Sequence, residues 1–466
     1  MTLDSLQAPE RLAASILGEM QNRPPGALLP SVRDLQKRYR VSPVTVTKAL
    51  SLLRKRGVIS VRPGHGSFLA ETTKIRPEGD VTWQSLVLGA RSANPLEAHM
   101  CQVPQDDIAL NGGYMSADLQ PVKELKKFAV SAAARATIWG QSPVEGLAEL
   151  RAWFADEHGP GYRAHDVLIA QGGQQALSTT MRAVAPPGAA ILVESPTYVG
   201  ALAAASAAGV RAVPVPSDEE GVRPEALEAA FAQTRAPLFY CQPLHANPSG
   251  VTLSPSRREA VLEIARAANA FVLEDDSTRY LDFGAKEPPP TLASLDPSRV
   301  ILVRSVTKPT APSVRIAAIF CKGPIRERIR SLRITDDMFA GGFTQELFLE
   351  FVSSPAWPRH LARVREGLAA KCDLALALVR RYVADADVTK PQGGLHLWLR
   401  LPEHIDETAF VASALRQRVH VSAGRLWFPA DAPAGYVRIS YGCATRDEIE
   451  QGITILGSLL RRQEAA

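Results

Sequence analysis

Seven short apolar runs between residues 167 and 320 constrain the fold of this chain more than any other feature. They are Val167–Ala170, Ala190–Val193, Ala212–Val215, Leu238–Cys241, Phe271–Leu273, Val300–Val303 and Ile316–Phe320. Each has the length of a strand, most are apolar on both faces, and the intervals between them leave room for helices. A strand that is apolar throughout must be covered on both sides, and crossover helices give that cover to a mainly parallel sheet. Beyond about residue 355 the pattern changes. Strands near Leu395–Leu399 and Val437–Ser440 among helical stretches predict a smaller α+β unit. The expected class is α/β.

The chain has 466 residues, enough for two or three domains, and its 46% hydrophobic and 22% charged content is that of a globular protein. Cys101, Cys241, Cys321, Cys372 and Cys443 lie far apart, so neither a disulfide framework nor a metal site is expected. No apolar run has the length of a membrane span, and the N-terminus, with Asp4 and Glu10, lacks a signal-peptide pattern. A cytoplasmic protein without a membrane partner is expected. Its charge is uneven. Residues 1–70 hold 11 Lys/Arg against 4 Asp/Glu, a net of +7, and the rest of the chain nets −2. A basic module on a near-neutral body points to a polyanion.

That module reads as three helices and a hairpin. Leu12, Ile16, Leu17 and Met20 recur at helical spacing within residues 5–22, and Pro24-Pro25-Gly26 stops the run. Ser31 caps a short second helix over residues 32–39, and Pro43 opens a third that Gly57 ends. Strands at residues 58–61 and 67–70 flank Pro63-Gly64-His65-Gly66, which completes a winged helix-turn-helix. A small dimerisation domain with a solvated basic face is the competing reading. Leu29-Pro30-Ser31-x-Arg33, Val41-Ser42-x-x-Thr45-Val46 and Gly64-x-Gly66-Ser67-Phe68 resemble the DNA-binding domain of GntR-family regulators. The resemblance implies double-stranded promoter DNA as partner, with Thr45, Thr47 and Lys48 on the helix entering the major groove. By the same likeness Arg33 holds phosphate or a base edge, and Arg62 and His65 sit at the wing. Pro43 stands where many relatives have arginine, so guanine readout at that position is lost.

Four loops and a lysine follow the apolar strands. Lys308, in Ser305-Val306-Thr307-Lys308 with Arg315 beyond, lies past the carboxyl end of one strand, where α/β sheets place their ligands. A solvated Ser/Thr turn is the plainer reading of this stretch. Gln171-Gly172-Gly173-Gln174 opens a helix and offers backbone N–H groups to a phosphate, or is simply a strand–helix turn. Tyr198 would stack on a flat ring or fill a core. Asn247, in Ala246-Asn247-Pro248-Ser249-Gly250, occupies a turn that needs no function. Glu274-Asp275-Asp276 place three carboxylates after an apolar strand, which is costly unless they are paired; a metal-binding acidic cluster is the rival reading, without a suitably spaced His or acid elsewhere to support it.

Taken together, these residues resemble the aspartate-aminotransferase family of fold-type I pyridoxal-phosphate enzymes from about residue 105 onward. The resemblance implies pyridoxal 5'-phosphate as cofactor and Lys308 as its Schiff-base lysine. It puts Asp275 against the pyridine nitrogen, Asn247 by the phenolic oxygen and Tyr198 on the ring face. Gly173, Gln174, Ser305, Thr307 and Arg315 would hold the phosphate, and Arg438 a substrate carboxylate. Two positions depart from the enzyme pattern. Ser277 and Thr278, with Tyr280 further on, replace the tyrosine that usually assists Asn247, and Gln141 replaces the tyrosine that reaches a partner's phosphate.

The two halves in this order resemble MocR-type regulators of the bacterial cytoplasm. The implied organisation is a winged helix over 1–75, a linker over 76–105, a cofactor-binding domain over 106–354 and a small subdomain over 355–466. A head-to-tail homodimer that senses the cofactor, alone or joined to a small amino compound, is the expected function. An aminotransferase with a DNA-binding appendage is the alternative, and the departures make weak or absent turnover the expectation.

Overall fold

The computed structural model describes residues 8–20, 23–24, 26–62, 65–70, 83–84, 87, 95–100, 102–383, 386–433 and 435–464. The chain divides into two compact units, Met1–Ala93 and Asn94–Ala466. Most of the expected linker, and Pro63 and Gly64 of the expected wing, lie outside the described residues.

In the first unit, α1 (Ala8–Met20), α2 (Val32–Tyr39) and α3 (Pro43–Lys55) precede an antiparallel hairpin of β1 (Ile59–Arg62) and β2 (Gly66–Leu69). Ser31 and Asp34 bond each other's backbone N–H in a capping box that starts α2, a device worth about 1 kcal/mol. Ser42 caps α3 with Pro43 in its first turn, and Gly57 at φ +70° turns the chain away. Leu12, Ile16, Leu35, Val46, Leu53 and Ile59 form its core, and the partly buried Leu69 of β2 packs against it.

The second unit is built on an eight-stranded sheet. Its strands are β4 (Val167–Ala170), β5 (Ala190–Ser195), β6 (Arg211–Asp218), β7 (Gly221–Val222), β8 (Leu238–Cys241), β9 (Phe271–Asp275), β10 (Val300–Ser305) and β11 (Ala317–Phe320). They are ordered β4-β11-β10-β9-β8-β5-β6-β7, with β10, β9, β8, β5 and β6 mutually parallel. Strands β4, β8, β10 and β11 are buried along their whole length, and their sequences are apolar apart from Arg304 and Ser305 at the end of β10. Several strands run one to three residues past their apolar runs, and Ile316 lies just outside β11. Strand β11 is antiparallel to both neighbours, so β4 points the same way as β10. The carboxyl ends of β4, β5, β8, β9 and β10 therefore share one edge.

A second core lies beyond the sheet. There β12 (Asp387–Val388), β13 (Leu397–Arg400), β16 (Tyr436–Ile439) and β15 (Ser422–Ala423) form a four-stranded sheet in that order. Two short strands, β3 (Ile108–Ala109) and β14 (Val419–His420), pair in parallel. Ile108, Leu110, Met115 and Leu119 pack in this core with Val364, Leu368, Val437 and Ile453. The chain thus contributes to its C-terminal subdomain before it builds the large sheet. Among the described residues, no helix is long and apolar enough to cross a membrane, and no three His, Cys, Asp or Glu side chains cluster as a metal site.

Candidate functional site

Strand direction assembles the site. Gly172-Gly173 follow β4, Tyr198 follows β5, Asn247 follows β8, Asp275 ends β9, and Ser305 ends β10 with Lys308 three residues on. Arg315 lies two residues before the reversed strand β11 and so is at the same edge.

At one end of this edge is a cup suited to an anion. The helix Gly173–Val184 starts within this turn, so its first N–H groups belong to Gly173 and Gln174. Gly172 has φ +87°, and a Cβ there would lie 2.7 Å from Arg315 Nη2, so only glycine leaves the guanidinium its place. Arg315 Nη2 donates to the Gln171 carbonyl at 3.3 Å. A Cβ on Gly173 would meet Ser305 Cβ at 3.5 Å, so Ser305 stands directly beside the helix start. Thr307 Oγ1 is buried with no hydrogen-bond partner among the described residues. An unpaired buried hydroxyl beside helix N–H groups and a guanidinium is what a phosphate would satisfy.

The three carboxylates after the apolar strand separate completely. Glu274 accepts from the backbone N–H groups of Leu292 and Ala293, and burial pushes its carboxyl up to about 7. Asp276 takes Arg304 Nη2 and Arg279 Nε, each at 2.8 Å. Only Asp275 is left for the site. Its Oδ2 accepts from Tyr240 Oη and Gln242 Nε2, both at 2.9 Å. Burial nevertheless raises its pKa, against the lowering by Tyr240 and by the charge of Lys308. A buried carboxylate still short of compensation suits a cationic ring nitrogen.

Lys308 is partly buried, and its Nζ reaches the Gly113 carbonyl at 3.4 Å. Burial pulls the amine down to about 8; Asp275 opposes the shift and Arg438 adds to it. About a tenth of this amine is neutral, and hence nucleophilic, at pH 7, far more than for a lysine of ordinary pKa. Tyr198 Oη donates to Gln174 Oε1 at 3.3 Å, which ties the tyrosine to the anion cup.

Opposite the sheet edge is Arg438, fully buried on β16. Its Nη1 donates to Asn247 Oδ1 at 2.9 Å and its Nη2 to the Asn111 carbonyl at 2.7 Å. Trp427 lies under the guanidinium at 4.1 Å, and His396 Nε2 is 3.3 Å from Nη1. Burial lowers the Arg438 pKa to about 9. A planar guanidinium has the charge and shape that suit a carboxylate. His245, Asn247, Ser277, Lys308, Gly394 and His396 line one cavity between the two cores.

Two expected contacts take other forms. Thr278 Oγ1 donates to the Leu244 carbonyl at 2.6 Å, and Tyr280 packs at 5.5 Å from Trp357 in the sheet core, so neither is poised to assist Asn247. Gln141 is exposed on the loop after Ala136–Trp139, and among the described residues no hydrogen bond joins it to the cluster. Tyr240, Gln242, Asn111, His396 and Trp427 were not anticipated from sequence. In the first unit, Arg33, Thr47, Lys48, Arg62 and His65 are exposed and Thr45 is partly buried. Arg62 lies 4.9 Å over the Phe68 ring.

Comparison with known proteins bears on the family and the fold. The family model for aminotransferase class I and II matches residues 106–456, and that for bacterial regulatory proteins of the gntR family matches residues 7–69. The chain is 27% identical over 448 residues to YisV of Bacillus subtilis, an uncharacterized HTH-type transcriptional regulator, covering 94% of this chain and 92% of that one. It is 26% identical over 453 residues to YdcR of Escherichia coli, of the same description, covering 94% and 95%. Among solved structures, LysN, an alpha-aminoadipate aminotransferase from Thermus thermophilus complexed with N-(5'-phosphopyridoxyl)-L-leucine, superimposes with a TM-score of 0.75 at 26% identity. That match covers 82% of this chain and 99% of LysN. The chain belongs to the aminotransferase class I and II family, with the gntR-type helix-turn-helix domain and MocR-like architecture of transcriptional regulators.

Proposed function

We propose that this protein is a DNA-binding regulator whose aminotransferase-like domain holds pyridoxal 5'-phosphate and senses a small amino compound. One observation carries the reading: an orphaned buried hydroxyl, a glycine cup for Arg315, an under-compensated Asp275 and a depressed lysine all lie along one sheet edge. The cofactor would supply an aldehyde that captures amines and a ring that accepts electrons. Ser305, Thr307, Arg315 and the N–H groups of Gly173 and Gln174 would bind its phosphate. Asp275 would hold a proton on the ring nitrogen, Tyr198 would lie on the ring face, and Asn247 would donate to the phenolic oxygen. Lys308 would bond the cofactor covalently, and Arg438 would orient an amino compound by its carboxylate. LysN, with a phosphopyridoxyl amino acid in its site, supports this assignment by analogy.

The occupied Thr278 hydroxyl and the core position of Tyr280 favour sensing over turnover. The winged helix gives the sensor an output, provided the ligand binds one conformation more tightly than another. A cytoplasmic head-to-tail homodimer would bring two such modules to one promoter, with the 76–105 segment joining each module to its sensor domain. Fluorescence anisotropy on the DNA upstream of its own gene, with and without pyridoxal phosphate, tests the proposal. Specific binding that shifts with cofactor is the expected result. Absence of specific binding together with steady ketoacid release from amino donors would replace the regulator with an aminotransferase.

A further inference from the structure

The reading end of α3 is unusually poor in available hydrogen-bonding groups. Thr45 Oγ1 lies 2.8 Å from Ser42 Oγ, which also accepts from the Thr45 N–H. Thr47 Oγ1 donates back to the Pro43 carbonyl at 3.0 Å. Pro43 has no N–H to offer and replaces a residue type that would carry a guanidinium. Val44, by contrast, is 62% exposed, whereas Val46 and Ala49 on the inward face are fully buried. Val44 therefore takes no part in the core that holds the module together.

Positions 44, 47, 48 and 51 share one face of a helix. On α3 that face offers the Val44 methyls and the Thr47 methyl, followed by the exposed Lys48 amine. The helix carries Lys48, Arg54 and Lys55 and no acidic residue, so its charge suits a phosphate-lined groove. First-turn residues of a recognition helix are the ones that meet base edges in the major groove. The thymine C5-methyl is the apolar feature displayed there.

We propose that Val44 is a specificity-determining residue that recognises the C5-methyl of a thymine in the major groove. Sequence preference at the tip of α3 then comes from apolar contact, while Lys48 and Arg33 supply attraction to phosphate. The proposal rests on the DNA-binding reading of the module.

The test begins with selection of bound duplexes from a random pool by the full-length, cofactor-loaded protein. Each invariant thymine of the selected motif is then replaced by deoxyuridine, which removes only the methyl, and affinity is read by anisotropy. At least one replacement should weaken binding about fourfold, the worth of one buried methyl-sized group. Val44→Ala, an exposed change that leaves the core intact, should abolish that penalty at the same position and leave any others. Val44→Thr, which keeps a methyl, should retain it. A motif in which no deoxyuridine costs affinity would overturn the proposal, as would a penalty unchanged in Val44→Ala. Enrichment of no sequence would overturn both this proposal and the regulator reading, whereas a motif indifferent to the methyl overturns only the role of Val44.

Discussion

Arg438 Nη1 donates to Asn247 Oδ1 at 2.9 Å, linking the small subdomain's carboxylate-binding candidate to the turn beside the large sheet. The bond commits the amide oxygen of Asn247 and leaves its NH2 as the group able to donate elsewhere. A fork is needed to serve Asn247, the Asn111 carbonyl and a ligand together, and an ammonium has no fork. Arg438→Lys should therefore weaken binding of α-amino acids at least about tenfold, the loss of one charge-assisted pair. Amines without a carboxylate should be unaffected. Spectrophotometric titration of the loaded protein with matched pairs of ligands reads both.

Lysine reacts with an aldehyde only in its neutral form, and Lys308 is depressed to about 8 from an ordinary value near 10.5. Cofactor capture by the stripped protein should thus quicken as pH rises and level off above about pH 8. Stopped-flow absorbance across pH 6 to 10 measures the profile; a rise continuing to about pH 10 would show an ordinary lysine. Lys308→Ala should lose the visible absorbance of the covalently held cofactor altogether.

Gly172→Ala would force a methyl to within 2.7 Å of Arg315 Nη2 at a φ of +87°. The guanidinium should be displaced from the anion cup. Affinity for pyridoxal phosphate should drop at least about tenfold, while affinity for pyridoxal, which has no phosphate, should stay nearly constant. Equilibrium dialysis with the two compounds separates a lost phosphate contact from general damage.

Asp275→Ala should weaken cofactor retention at least about tenfold, because a cationic ring nitrogen would lose its only carboxylate partner. Tyr240→Phe, which removes one of the bonds holding Asp275, should produce a smaller loss in the same direction. Dilution followed by absorbance decay measures both; equal retention in Asp275→Ala and wild type would dismiss the pyridine contact.

Arg33→Ala and Lys48→Ala should each lower the slope of log affinity against log salt by about 1, as expected when one phosphate contact is lost. Anisotropy titrations at several salt concentrations give the slopes.

The residues legible in sequence are those whose signal is local. Asp275 ends an apolar strand, and Gly173, Lys308 and Asn247 follow one within three to six residues, where a polar or flexible residue stands out from the apolar run before it. Tyr240 and Gln242 were hidden because an aromatic on a buried strand reads as core, and Tyr240 indeed packs as core while its hydroxyl holds Asp275. Trp427 and His396 meet Arg438 only through the pairing of distant strands, which no window of sequence contains. Tyr280 misled for the opposite reason. It follows the acidic cluster closely enough to suggest a site residue, but the aromatic cluster around Trp357 offers its ring more buried contact than the pocket does.

The split membership of residues 108–119 has a consequence for synthesis of the chain. The sheet core draws on residues from Leu150 to Trp357, so its parts have all left the ribosome once that stretch has emerged. Ile108, Leu110, Met115 and Leu119 are made earlier, yet their partners Val437, Ile439, Ile449 and Ile453 come near the end. Val364 and Leu368 give partial cover sooner, but the core stays open until these last residues are made. The second core therefore closes last around its first strand, and a nascent chain halted at residue 400 would carry a finished sheet beside an incomplete second core.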